Sequence, residues 1–195
     1  TAMINVRPMR THHWSGLGTL LKNYIMFVSQ PWIYHGNACE KLGAIWQKSH
    51  VKNKTRLNIL VMMTPLFHGV GPHHFNKEYT WPYSGLILST DPVAADATGA
   101  RIIQAKRNQY FGEDKPISPP PRHIEAADIK YALGNSHPDR IGRAEELHVH
   151  RPHIRDHTPV RLQYIAQRPD FPRVIRPDLE NPNANGPLHR QQAQR

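Results

Sequence analysis

The sequence predicts an α/β fold: a partial mixed or mostly parallel sheet flanked by helices, with a disordered C-terminal tail. Three observations carry that expectation. The first is the apolar run Leu86-Ile87-Leu88, which stops at Ser89-Thr90-Asp91-Pro92 and restarts as Val93-Ala94-Ala95-Asp96-Ala97. It reads as a buried strand, an Asp cap with Pro at the first helical position, and a helix with a second carboxylate near its start. The second is Leu57 to Met63, continuous and apolar as a central parallel strand requires. The third is the C-terminal composition. From Ile141 onward there are nine Arg, seven Pro, five His and no Lys. So few periodic apolar residues cannot offset the entropy of ordering, so Leu147 to Arg195 is expected to be largely disordered. The chain divides on this reading into residues 1–141 and an Arg/Pro/His-rich tail, 142–195, whose abrupt loss of Lys resembles translation in a shifted reading frame.

Taken in order, Ala2 to Val6 reads as a short strand ended by Arg7-Pro8, and Met9 to Ser15 as a polar loop. Gly16 to Val28 sets Leu17, Leu20, Leu21, Tyr24, Ile25 and Val28 at helical spacing, with Ser15 as the cap. Gln30-Pro31-Trp32 breaks that helix, His35-Gly36-Asn37 is a turn, and Ala38 to Trp46 is a second helical segment. Gln47 to Thr55 is a basic surface connection. The strand at Leu57 runs into a loop, Thr64 to His74, whose Gly69 and Gly71 permit positive φ or close backbone approach. Asn76 to Tyr83 is irregular and aromatic, Gly85 to Ser89 the next strand, and Pro92 to Arg107 the helix it feeds. Tyr110 to Arg122 is a loop holding Pro119-Pro120-Pro121, and a last helix, His123 to Leu133, ends at Gly134 as a left-handed cap.

Composition narrows the function classes. In 195 residues, eighteen Pro, 38% hydrophobic residues and a mean hydropathy of −0.62 fit one domain with its polar excess at the C-terminus. A net charge of +10 and a pI near 10.0 ordinarily suggest nucleic acid or an anionic membrane surface. Here nine Arg against six acids after Arg140 supply three of those charges, and the rest is scattered apart from Lys48, Lys52, Lys54 and Arg56. With no basic helix face and no interleaved aromatic platform, no specific nucleic-acid partner is expected. A single Cys39 excludes an internal disulfide framework and any four-Cys cluster, so no iron-sulfur cluster is expected within this chain. No apolar run approaches a membrane span. The chain starts at Thr1 and enters the strand-like Met3-Ile4-Asn5-Val6 at once, which reads as a fragment; the sequence assigns it no compartment.

The residues that carry chemistry fall in a few clusters. Asp91 sits at the N-cap position, where capping alone explains it. Asp96 lies on the stripe shared with Ala100 and Ile103, so it is expected to face the sheet, where an ionised acid needs a hydrogen bond or a cation. Lys22 and the pair His12 and His13 are its natural partners. His12, Lys22, Asp91 and Asp96 are the candidate catalytic residues, and Asn23, Gly69 and Gly71 the candidate binding residues for an unknown cofactor or an anion. His68, His73 and His74 bring the imidazoles on two loops to five. Without a His-x3-His helix or a thiolate pair the metal assignment stays open, with His12, His13 and His73 as candidates. Trp14, Trp32, Trp46 and Trp81 read first as packing residues. Gly69-Val70-Gly71-Pro72 lacks the third glycine of a dinucleotide fingerprint, and neither a Gly-x-Ser-x-Gly elbow nor a phosphate loop is present.

Asn5-Val6, Thr11-His12, Ser15-Gly16, Lys22-Asn23, Gly69-Val70-Gly71-Pro72, Asp91-Pro92-Val93-Ala94-Ala95-Asp96-Ala97 and Leu133-Gly134, in that order, resemble the bacterial and archaeal family called domain of unknown function 362. The likeness spans Ala2 to Ile141 and implies the C-terminal half of that domain, with a missing N-terminal half of the same domain as its partner. Many members carry grouped cysteines in a ferredoxin-like segment, and some carry twin-arginine signals; this chain has neither. The Thr-His and Lys-Asn motifs are also faintly similar to loop elements of nickel-pincer lactate racemases, an analogy of motif only. Two readings follow. In one the chain is part of a redox or isomerase-type enzyme with a polar site at strand ends. In the other it is a non-catalytic binding or accessory module whose polar motifs are structural. Convergence of His12, Lys22 and Asp96 on one pocket favours the first.

Overall fold

The computed structural model describes residues 1–71 and 74–141 and, beyond them, the backbone of two strands. The strands are β1 (Met3–His12), β2 (Gly16–Gly18), β3 (Thr55–Leu66), β4 (Gly85–Ser89), β5 (Glu145–His148) and β6 (Arg161–Ile165), in the sheet order β2-β1-β3-β4-β6-β5. Helical segments are α1 (Leu20–Asn23), α2 (Gly36–Cys39), α3 (Gly43–Trp46), α4 (Ser49–Lys52), α5 (Pro92–Phe111) and α6 (Arg122–Ile129). Of the tail expected to lack order, β5 and β6 are described; the rest lies outside the described residues.

The α/β class holds, and the sheet is mixed. β1 and β3 are parallel, whereas β2 runs antiparallel to β1 and β4 antiparallel to β3. β6 adds to β4 in parallel and β5 pairs antiparallel with β6. The antiparallel β4 decides where the functional residues go. Ser89 at its end is in register with Asn58 near the start of β3, so Asp91 leaves the sheet at the end opposite to His12.

β1 continues through Pro8, where the sequence predicts a stop. β2 pairs with β1 only from Arg10 to His12, so one side of β1 is still an edge at Pro8 and asks for no N–H there. The helix expected over Gly16 to Val28 is instead β2, the short α1 and a 3-10 turn, Tyr24–Phe27. Its apolar spacing nevertheless marks the core, because Leu17, Leu20, Leu21, Tyr24 and Ile25 are all buried. Gly16 has φ +71°, and a Cβ there would meet the Pro119 carbonyl oxygen at 2.1 Å, so neither a side chain nor a helical backbone fits. The helix expected over Ala38 to Trp46 is broken likewise: Asn37, Ala38 and Cys39 have φ of 48°, 53° and 64°, and right-handed helix resumes with a 3-10 turn, Glu40–Leu42, that leads into α3.

α5 starts on the Asp91 cap and lies across the sheet, with Gly99 against Leu60 and Met9. This covered face of the sheet holds Met9, Leu60, Met62 and Ile87 with Val93, Ala97 and Ile103. On the other face Ile4 and Val6 are 62% and 49% exposed, leaving an open apolar surface. Through the covered layer runs a line of amides. Arg7 Nη1 donates to Asn23 Oδ1 (3.3 Å), Asn23 Nδ2 to Asn5 Oδ1 (2.8 Å), Asn5 Nδ2 to Asn58 Oδ1 (3.0 Å), and Asn58 Nδ2 to the Ser89 carbonyl (3.2 Å).

The last helix ends at Ile129, and the left-handed residue after it is Ala132 (φ 48°), not Gly134. Gly134 is small for another reason: a Cβ there would lie 1.8 Å from Asp91 Oδ1. Replacing Gly134 with Ala should therefore push Asp91 off its cap and cost about 1–3 kcal/mol. Urea denaturation measures it, and an unchanged midpoint would show that the segment shifts freely.

Candidate functional site

The hairpin that joins β1 to β2 sets His12, His13 and Trp14 at one end of the sheet. His12 and His13 stack with centroids 4.8 Å apart and planes within 9°, and Trp14 packs on His13 (4.3 Å) and edge-on to His35 (4.5 Å). The Trp14 backbone N–H donates to His12 Nδ1 at 3.2 Å, so the neutral ring carries its proton on Nε2. Burial, then the neighbouring charges of Lys22, His13, Arg10 and His35, push the His12 pKa down to about 3. His12 is therefore a neutral Nε2–H donor at physiological pH.

Lys22 comes from α1, beside β1, and is only 4% exposed. Its Nζ donates to Cys39 Sγ at 3.8 Å. Burial lowers its pKa; Cys39 opposes that shift, while Arg7 and Arg10 add to it. Cys39 is fully buried, and its thiol, 3.9 Å from the His35 carbonyl, is pushed up by burial against the pull of Lys22. The three consecutive left-handed residues that end at Cys39 are strained. Arg122 Nη1 holds Asn37 Oδ1 at 2.7 Å, Asn37 bonds Glu40, and Glu40 pairs with Lys130. Backbone strain thus accompanies the partner of the one buried lysine.

The glycine loop reaches the same end. Gly69 and Gly71 have φ of 97° and 90°, and a Cβ on Gly71 would be 2.8 Å from the Thr11 carbonyl oxygen. His13 Nδ1 lies 3.3 Å from the Val70 carbonyl. His12, His13, Lys22, Gly69 and Gly71 are in this way brought together. Asn23 is one residue on, committed to Arg7, Asn5 and the Val6 carbonyl.

Both acids are taken up by backbone amides, Asp91 at the opposite end of the sheet and Asp96 at the start of α1. Asp91 Oδ1 accepts from the Val93 and Ala94 amides at 2.9 and 3.0 Å, and Oδ2 from the Asn135 amide at 2.9 Å. Asp96, fully buried, accepts from the Leu20 amide on Oδ1 and the Leu21 amide on Oδ2, both at 2.9 Å. It is the cap of α1, supplied from another helix, since the N-cap residue Thr19 makes no side-chain cap bond. Burial pushes its pKa up to about 7, against the two backbone amides.

His68 belongs to a different cluster, with Arg107 Nη1 at 3.1 Å from its Nδ1 and the rings of Tyr79 and Phe111 edge-on. His74 is exposed, and His73 lies outside the described residues. Among the described residues no group of three or more His, Cys, Asp or Glu side chains is placed to hold a metal ion, and no helix is long and apolar enough to cross a membrane.

Sequence reasoning missed Arg7, Arg10, His35, Cys39 and His123. Arg7 and Arg10 were hidden by the premature end assigned to β1, and Cys39 was weighed only as a disulfide partner or a cluster ligand. His123 is fully buried, with Nε2 at 3.0 Å from Thr19 Oγ1 and its pKa pushed down to about 3 by burial, then by Lys22. An unfolded histidine titrates near 6.5, so between 6.5 and about 3 the folded state binds fewer protons and stability is lost as the pH drops. His123→Gln should flatten this acid loss by up to about 1.4 kcal/mol per pH unit in urea titrations at pH 4 to 6. An identical slope would mean that His123 takes up its proton in the fold.

The family described as Domain of unknown function (DUF362) has a model that matches residues 1–101, more than half of the chain. No curated protein and no solved structure matches the chain.

Proposed function

The chain belongs to the domain of unknown function 362 family, and within it we propose that the chain forms one wall of the site of a redox or isomerase-type enzyme, with Lys22 and His12 at the chemistry. The observation that carries this is the pairing of states at one sheet end: a buried amine with a lowered pKa beside a neutral imidazole whose Nε2–H is left to donate. A lysine whose pKa is lowered gives up its proton more readily than a surface lysine, leaving an amine that can accept one, and a fixed imidazole N–H steadies the oxygen on which charge develops. Lys22 then takes a proton from a substrate carbon or hydroxyl, and His12 donates a hydrogen bond to the neighbouring oxygen. Cys39 positions Lys22. Asp91 and Asp96 serve by fixing the starts of α5 and α1.

The second reading, a non-catalytic binding or accessory module, is favoured by one observation: both carboxylates are consumed by backbone amides. Solvent exchange separates the two. The full chain, incubated in D2O with a panel of small 2-hydroxy and 2-oxo acids, should catalyse loss of a carbon-bound proton, followed by NMR. No exchange above the uncatalysed rate with any of them would favour the binding module.

A further inference from the structure

Along β1, Arg7, Arg10 and Thr11 carry buried donors that no described residue uses. Arg7 Nε, Arg10 Nε and Thr11 Oγ1 are buried and have no hydrogen-bond partner among the described residues. Such groups are rare in native proteins, because each loses its water without replacement. The geometry points to a seat for a small oxyanion, a carboxylate or phosphate, held by the Arg7 and Arg10 guanidinium groups. It deepens the reading above and rests on it: the anion is the charged group of the molecule whose proton Lys22 and His12 handle.

Position supports the assignment. Arg7 is tied to the start of the site by its bond to Asn23, the residue after Lys22. Arg10 is paired with Gly18 and lies on it, with its Cγ and Nε 3.4 Å from where a Cβ of that glycine would be. Arg7, Arg10 and Lys22 are within electrostatic reach of one another, and Arg10 of His12. None of the three cations belongs to an ion pair among the described residues, where the pairs involve Lys115, Lys130, His137 and Arg140. Asp96 is the acid that acts on Arg7, and both of its oxygens already hold amides.

Chemistry selects the class of ligand. The two guanidinium groups bring donors and positive charge, which rejects a cation and leaves a neutral donor unsatisfied. An anion with several acceptor oxygens satisfies both, and a planar guanidinium edge matches carboxylate and phosphate alike.

The full chain labelled with 15N arginine gives the readout, through the Nε–H resonances of Arg7 and Arg10. Titration with acetate, oxalate and inorganic phosphate should shift both signals saturably, and whichever anion saturates identifies the oxyanion that fits. The Arg10 side chain makes no hydrogen bond among the described residues, so Arg10→Gln is the variant least exposed to misfolding. It should weaken binding about tenfold or more. Lys52→Gln, which removes the same charge from an exposed site, should leave binding unchanged. No saturable shift with any of the three anions would overturn the seat, as would equal weakening by Lys52→Gln. Saturation without deuterium exchange would keep the seat and remove the enzymatic reading, whereas exchange without saturation would do the reverse.

Discussion

Replacing Asp96 with alanine should cost the fold about 2–5 kcal/mol, because two buried amides at the start of α1 lose their acceptor together and a void opens beside them. The loss should depend on pH in a defined direction. The Asp96 carboxyl is raised to about 7 in the fold, whereas an unfolded carboxyl titrates near 3.8. Between those values the folded state holds a proton that the unfolded state has released, so the contribution of Asp96 is full below 3.8 and declines as pH rises to about 7. The cost of Asp96→Ala should therefore be greatest in acid and shrink by up to about 1.4 kcal/mol per pH unit toward neutrality. His123 acts in the opposite direction over much of that window, so the variant's own stability should climb more steeply with pH than the parent's. Urea titrations from pH 4 to 7 measure both effects. A cost that does not vary with pH would mean that the two amides keep Asp96 ionised throughout.

Lys22→Met should reduce deuterium exchange by about 10²-fold or more, the usual contribution of a positioned base. Methionine keeps the length and apolar stem, so the loss reads the amine and not the packing. The pH profile adds a test that a structural role would not move. Exchange requires the free amine, so its rate should rise with pH along a limb that lies below the ordinary lysine value of 10.5. His12 remains neutral down to about 3 and should add no further limb between pH 5 and 8. In Cys39→Ser the limb should move while the maximal rate persists, since the thiol touches Lys22 and not the substrate. A profile identical in parent and Lys22→Met would remove Lys22 from the chemistry.

Much of the architecture was legible because its causes are local. Leu86-Ile87-Leu88 is apolar enough to be a strand in any context, and Asp91-Pro92 starts α5 through its own carboxylate and fixed φ. What was illegible depends on contacts far along the chain. Gly16 is shaped by Pro119, α1 is capped by Asp96 from 76 residues away, and Gly134 answers to Asp91. No local pattern contains those facts. The candidate site divides likewise. His12 stands out within a polar cluster and Lys22 within an apolar stretch, whereas Arg7 and Arg10 gain meaning only once β1 is known to continue past Pro8. The orientation of β4 was the costliest omission, because a strand end marks a shared rim only if neighbouring strands point the same way.

The amides from Asn23 through Asn5 to Asn58 all donate in one direction, away from Arg7. Each is a small dipole with its oxygen turned toward the guanidinium, and none can flip alone without setting two donors or two acceptors face to face. The row therefore has one fixed polarity, with the Asn23 oxygen presented to the Arg7 guanidinium. Asn58→Asp keeps the acceptor for Asn5 and sets a carboxylate oxygen against the Ser89 carbonyl, so it should disturb the row at the end away from Arg7.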